Sequence, residues 1–197
     1  GDLPSETFSE TVAQADFRDQ ISGAAGHWSF DHDAPGAGGD DYAIRSTGTL
    51  RVQAGGTFTF ALGSDDGGRL RIDGADVIVD DSISAFDTEF GEIALDAGDH
   101  TFEWIAFEDG GEAGFELSVA VGAGGDAPVT AENGWRVLGD PDSHDAIELL
   151  GGIESTAYYA GPVGADDNLV AGNLIGTNAA GDVDLGNGGE GVAIRDA

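Results

Sequence analysis

Between residues 42 and 122 the chain is written in short runs that alternate apolar and polar side chains, and glycine closes nearly every run. The runs are YAIRSTGTLRVQ, GTFTFAL, RLRIDG, DVIVDD, FGEIALDAG, HTFEWIAFE and GFELSVAVG. A period of two places alternate side chains on opposite faces of a strand, so each run reads as a strand with one buried face. In GTFTFAL, for example, Phe58, Phe60 and Leu62 share one face and Thr57, Thr59 and Ala61 the other. Strands recurring about every ten residues with turn signals between them predict an antiparallel β-sandwich. The 34 glycines among 197 residues fit a chain of many tight turns.

The flanks are less regular. Residues 5–21 space Phe8, Val12 and Ile21 loosely as on a helix, with Thr7 and Glu10 as a capping box; a short helix and an irregular lead-in strand both fit. At 122–128 the composition shifts to GAGGDAP. The reading is therefore a sandwich over 1–122, a linker at 123–130, and a β-rich extension over 131–197 with WRVLG, IELLG and STAYYAG as short strands. In the last thirty residues Asn-Gly turns separate short apolar triplets, the pattern expected of the first coils of a parallel β-helix.

Charge excludes several roles. Thirty-eight Asp and Glu against seven Arg and Lys leave a net charge of −31. Such a surface repels phosphate backbones and anionic lipid, which argues against nucleic acid and membrane surfaces as partners. The charge reads mainly as a solvated, self-repelling surface, with a few carboxylates available for a divalent cation. With no Cys, disulfides and thiolate zinc sites are impossible. No run approaches a transmembrane length. Gly1-Asp2-Leu3-Pro4 has neither the basic start nor the apolar run of a signal peptide, so the chain reads as a fragment or processed form.

Three blocks in order, DYAIRSTGTLRV, GTFTFALGSDDGGRLRIDG and HTFEWIAFEDGGEAGFELSV, resemble the PA-14 (protective-antigen type) domain over residues 20–122. Ser64-Asp65-Asp66-Gly67, followed by Arg69-Leu70 and Ile72-Asp73-Gly74, is the most specific part. Two positions depart from the family: Ser46 stands where an aromatic is common, and no Trp follows Asp80-Asp81. The tail GNLIGTNAAGDVDLGNGGEGV is similar to bacterial right-handed β-helix repeats. The resemblance implies an all-β fold, an antiparallel jelly-roll β-sandwich followed by a short β-helix-like extension. It also implies a secreted or cell-surface, adhesin-like protein that is part of a larger polypeptide.

In the lectin branch of that family a cis Asp-Asp pair holds calcium, and vicinal sugar hydroxyls complete the ion's shell. Carried over by motif, the pair is Asp65-Asp66. The match for a second loop is the hairpin Glu108-Asp109-Gly110-Gly111-Glu112-Ala113. It implies ligation by Asp109 through its side chain and by Gly111 and Ala113 through carbonyls, with Asp65, Asp66, Gly110 and Glu112 facing the sugar. Calcium takes six to eight hard oxygen ligands, which suits this set. Ser-Asp-Asp-Gly is also a good turn sequence without any ion, and the hairpin is also a plain glycine turn; both readings stand at this stage.

The remaining candidates are weaker. Asp73-Gly74 reads as a turn and His100 as a structural turn residue, while Trp104 reads as core. Trp28 and Trp135 suit either core or sugar platform. Asp31-His32-Asp33 reads as a solvated loop before a metal site. Asp140, Asp142 and Asp145 lack the glycine and distal Glu of an EF-hand. No nucleophile elbow, zincin motif or phosphate loop is present, so the chain reads as non-catalytic. The expected function is calcium-dependent binding of a glycan or polysaccharide. Two alternatives are a ligand-free spacer or cap of a surface stalk, and an accessory module of a polysaccharide-degrading enzyme.

Overall fold

In the computed structural model the described residues are 6–18, 26–29, 32–35, 40–122, 124, 128–141 and 146–159. They form twelve strands and a single 3-10 turn, Ala131–Asn133. The strands are β1 (Glu6–Val12), β2 (Asp16–Arg18), β3 (His32–Asp33), β4 (Tyr42–Val52), β5 (Gly56–Asp65) and β6 (Gly67–Ile72). They continue with β7 (Ala75–Asp80), β8 (Asp87–Leu95), β9 (Gly98–Glu108), β10 (Gly114–Val121), β11 (Arg136–Val137) and β12 (Ile147–Tyr159). The first sheet runs β1-β12-β4-β9-β6-β7 and the second β3-β2-β10-β5-β8, with β11 added to β10. Every pairing is antiparallel except β2 with β3. The all-β sandwich expected from the alternation is the fold of this chain.

The core lies where the period of two places it. From the first sheet come Tyr42, Ile44, Leu50 and Val52 on β4, Leu70 and Ile72 on β6, and Phe102, Trp104 and Ala106 on β9. From the second come Phe17, Phe58, Phe60, Leu62, Phe115, Leu117 and Val119. Each large apolar side chain removed from water stabilises the fold by roughly 1.5–3 kcal/mol, and interdigitation across the two faces fixes the register. Trp104 is core, as read from sequence. Ser46 is buried within the β4–β12 pair, where its hydroxyl meets that of Ser155 at 2.8 Å.

One sequence reading left open is decided and two expectations change. Of the two readings of the lead-in, strand holds: β1 pairs with β12 along its whole length, and β2 joins β10. The linker expected at 123–130 does not end the sandwich. β11 extends the second sheet, and β12 lies between β1 and β4 inside the first, so the sandwich runs to Tyr159. IELLG and the first five residues of STAYYAG are one strand interrupted by a bulge between Leu150 and Glu154, where Gly151 takes a φ of 76°. The physical reason is that Ile147, Ile153 and Ala157 complete the core, which a sandwich ending at 122 would leave open. The β-helix expected further on, in 161–197, lies outside the described residues.

The second sheet is covered on its outer face as well. Ala61 and Ala120 pack with Val129, Trp135 and Trp28, so Trp135 serves packing. Glu116 on β10 holds the segment 26–29 down. Buried at 1% exposure, it accepts from the backbone N–H groups of His27 and Trp28, both at 2.9 Å, and contacts His27 Nδ1 at 3.0 Å. Among the described residues no helix is long and apolar enough to cross a membrane.

Candidate metal centre

The candidate site is built where β5 passes into β6 and where β9 ends. Asp65 closes β5 and Gly67 opens β6, so Asp66 is the single residue joining strands that belong to different sheets. The Asp65–Asp66 peptide bond is cis. Asp66 is tied into the first sheet by its N–H, which donates to the Phe107 carbonyl at 3.1 Å. Gly67 is obligatory here, because a Cβ would stand 2.6 Å from the Asp80 carbonyl oxygen and 2.8 Å from that of Ser82. The β7–β8 connection thus closes one side of the site, with the Phe86 ring seated over Gly63.

On β9 the inward positions are Phe102, Trp104, Ala106 and then Glu108. The same alternation that buries the core drives a carboxylate inward at the strand's last rung. Asp65, Asp66 and Glu108 each offer an oxygen within 4.8 Å of the others. They are 8%, 4% and 3% exposed, and neither oxygen of Glu108 closes a hydrogen bond of full geometry. None of the ion pairs among the described residues reaches any of the three.

Electrostatics follow from this crowding. Burial, then the charges of Asp66 and Asp65, pushes the Glu108 carboxyl up to about 8, although the nearby Gly110 N–H pulls the other way. Burial and the Asp66 charge also raise Asp65, against a backbone hydrogen bond from Phe86. Buried like charges without a counterion are unfavourable, and a bound cation removes that cost directly.

Other sequence candidates fall elsewhere. Asp109 is exposed; its N–H donates to Asp66 Oδ2 at 2.8 Å while its own side chain stands outside the three-carboxylate group. Gly110, Gly111 and Glu112 are exposed at the hairpin tip, and Ala113 is buried behind it. Asp73 and Gly74, at φ of 51° and 80°, make the β6–β7 turn. Asp73 also accepts from the Thr101 N–H and faces His100 Nδ1 at 2.6 Å, which gives His100 its structural place. His32 and Asp33 lie on β3, whereas Asp31, Asp142 and Asp145 lie outside the described residues.

Two residues near the centre are missed by sequence reasoning. Glu108 is legible in principle, since counting by two from Phe102 reaches it. Asp40, whose Oδ1 accepts from the Gly111 N–H at 3.2 Å, has no such signal. The open groove of about 680 Å³ on the outer face of the first sheet is a separate feature. It is lined by Thr47, Thr49 and Thr101 with Arg45, Arg71 and Glu103, whose charges are matched to each other.

A family model described as the PA14 domain matches residues 7–113. No curated protein matches the chain. Among solved structures, the PA14 sugar-binding domain from an RTX adhesin is 26% identical, with 49% of this chain and 51% of that one covered and a TM-score of 0.40. The PA14 domain of the MpAFP antifreeze protein is 15% identical, with 61% and 66% covered and a TM-score of 0.41. An anti-sigma factor domain-containing protein is 20% identical, with 61% and 44% covered and a TM-score of 0.46. The chain spans less than two thirds of each of these structures, and about half of the adhesin domain.

Proposed function

The chain belongs to the PA14 domain family, and from that premise we propose that it is a carbohydrate-binding module whose ligand is held through a calcium ion at the Asp65–Asp66–Glu108 centre. The observation that carries the reading is Glu108: a carboxylate buried at 3% exposure, facing two others, with no full hydrogen bond to either oxygen. Folds satisfy buried polar groups, and one left open among like charges fits a cation site.

The donor set suits calcium. It is all oxygen, with no sulfur or imidazole, which disfavours zinc and copper. Asp65, Asp66 and Glu108 would supply carboxylates, with carbonyls of Gly111 and Ala113 on the second loop. Bound there, calcium would supply an open coordination position for sugar hydroxyls. Asp109, Gly110 and Glu112, all exposed, form the rim on the solvent side, where a sugar would lie.

Binding fits this arrangement better than hydrolysis. A retaining glycosidase sets two carboxyls roughly 5–5.5 Å apart across a cleft that admits the sugar. Here three crowd within 4.8 Å, in a buried position. The adhesin relative is a sugar-binding domain, and the proposal gives this chain the same role, on a secreted or cell-surface protein of greater length.

The test is a glycan array probed with the protein in calcium and again in chelator. Binding to a defined set of glycans that vanishes in chelator and in Asp66→Asn is the expected result. Glycan binding indifferent to chelator, or no calcium binding by calorimetry, would overturn it.

A further inference from the structure

We propose that Asp40, in the segment leading into β4, is a positioning residue of this centre: with Asp66 it clamps the hairpin after β9 from two sides and sets the ion's affinity without ligating it. The inference rests on the calcium reading above.

The hairpin tip Asp109-Gly110-Gly111-Glu112 is exposed and glycine-rich. Gly111 sits at a φ of 118°, where a side chain is strained, and glycine has the most backbone freedom to lose. A Cβ on Gly111 would meet nothing within 4 Å. One on Gly110 would meet only Asp40, whose Cγ and Cβ lie 3.7 and 3.9 Å away. Yet this tip must present its carbonyls in one direction if they are to coordinate an ion.

Two carboxylates supply the constraint. Asp66 Oδ2 accepts from the N–H of Asp109 at 2.8 Å, and Asp40 Oδ1 from the N–H of Gly111 at 3.2 Å. A trans peptide is planar, with its C=O opposed to its N–H. Fixing the Asp109 N–H therefore fixes the Glu108–Asp109 peptide plane, and fixing the Gly111 N–H fixes the Gly110–Gly111 plane, which leaves only the two dihedrals of Gly111 itself to place the next carbonyl, the one assigned to the ion. Asp40 is itself well placed to hold. It lies two residues before Tyr42, a buried residue paired with Glu108 across the β4–β9 ladder, and the chain turns at Asp41 with a φ of 62°. Its carboxylate is not among the three whose oxygens converge, which assigns it the clamp and not the ion. Groups that orient ligands in this way typically change metal affinity 10–100-fold when removed.

The test compares Asp40→Ala, which removes the acceptor, with Asp40→Asn, which keeps a carbonyl acceptor and removes the charge. Calcium affinity is read by calorimetry on the whole chain. The Gly111 amide is followed by hydrogen exchange in chelator. We expect Asp40→Ala to weaken calcium binding by roughly 10–100-fold and to speed Gly111 exchange. Asp40→Asn should stay close to the parent in both. Equal losses in the two variants would mean that only the charge matters, and a parent-like Asp40→Ala would mean there is no clamp; either overturns the proposal. Should the parent bind no calcium, the functional reading fails by itself, while Gly111 exchange still decides the clamp.

Discussion

Two glutamates are buried on strands consecutive in the chain, and the fold treats them in opposite ways. Glu116, on β10, is 1% exposed and engages two backbone N–H groups and an imidazole nitrogen. Glu108, at the end of β9, is 3% exposed, closes no full hydrogen bond, and faces two further carboxylates. The first is a structural device: it fastens the segment 26–29 to a sheet that would otherwise lie bare. The second, when charged and without a cation, sits among like charges that oppose its burial. Burial alone therefore does not distinguish scaffold from site. The distinction lies in whether the protein itself supplies the buried group's partners.

That contrast can be broken by exchanging the roles. The largest effect belongs to Glu116→Ala, which orphans the His27 and Trp28 N–H groups. A loss of about 3 kcal/mol in denaturant melts is expected from several unsatisfied donors, with the calcium response intact. Glu108→Ala in chelator should cost much less; a comparable loss would show Glu108 to be a second structural carboxylate.

Next in size is the response to the ion. At 100 times its Kd, calcium should stabilise the parent by about 2.7 kcal/mol through mass action. Glu108→Gln and Asp66→Asn should abolish the gain in thermal melts, while Glu116→Gln should keep it. An undiminished gain in Glu108→Gln would remove this residue from the ion's shell.

The third effect is the pH dependence of the calcium-free protein. Glu108 has a folded pKa of about 8 against an ordinary 4.5, so between those values the folded state holds a proton that the unfolded chain has released. Its contribution is present below the unfolded pKa and is lost as pH rises through the folded one. Asp65, also raised, acts with the same sign. In chelator, Tm should fall by a few degrees from pH 5 to pH 8, and Glu108→Gln should flatten that slope. A Tm that rises over this interval would contradict the assignment.

The smallest effect concerns acids matched at the surface. Arg51 with Asp99 and Arg71 with Asp76 stand at 2.7 and 2.6 Å on half-exposed side chains, and both aspartates are held below the usual range, chiefly by the arginine hydrogen bonds. Arg51→Ala should be the mildest of these changes in denaturant melts, and milder still in high salt. A larger cost would mean that surface pairing also carries structure.

The strands from β4 to β10 are legible because each writes its own period of two. The Asp65-Asp66 pair is legible through its motif and its turn chemistry. What the sequence conceals is relational. β12 reads as two short runs because its bulge carries two glycines, and nothing local announces that it will lie beside β4, about a hundred residues earlier. β1 looks equally helical because its strand character depends on β12. Asp40 escapes for the same reason, since its partner Gly111 lies 71 residues away. Glu108 is the instructive case: the alternation that identifies β9 already points it inward, but an acidic residue at a strand end reads as part of a loop.

The pairing of β1 with β12 has a mechanical consequence. Glu6 stands opposite Tyr159, and the ladder runs from there to Val12 opposite Ile153. The chain thus enters the first of the described strands and leaves the last of them at the same end of one antiparallel ladder. Tension applied between those points loads the rungs one after another, peeling them like a zip, instead of loading them together in shear. On a tethered protein this sheet edge would yield first under pull, at low force and in small steps.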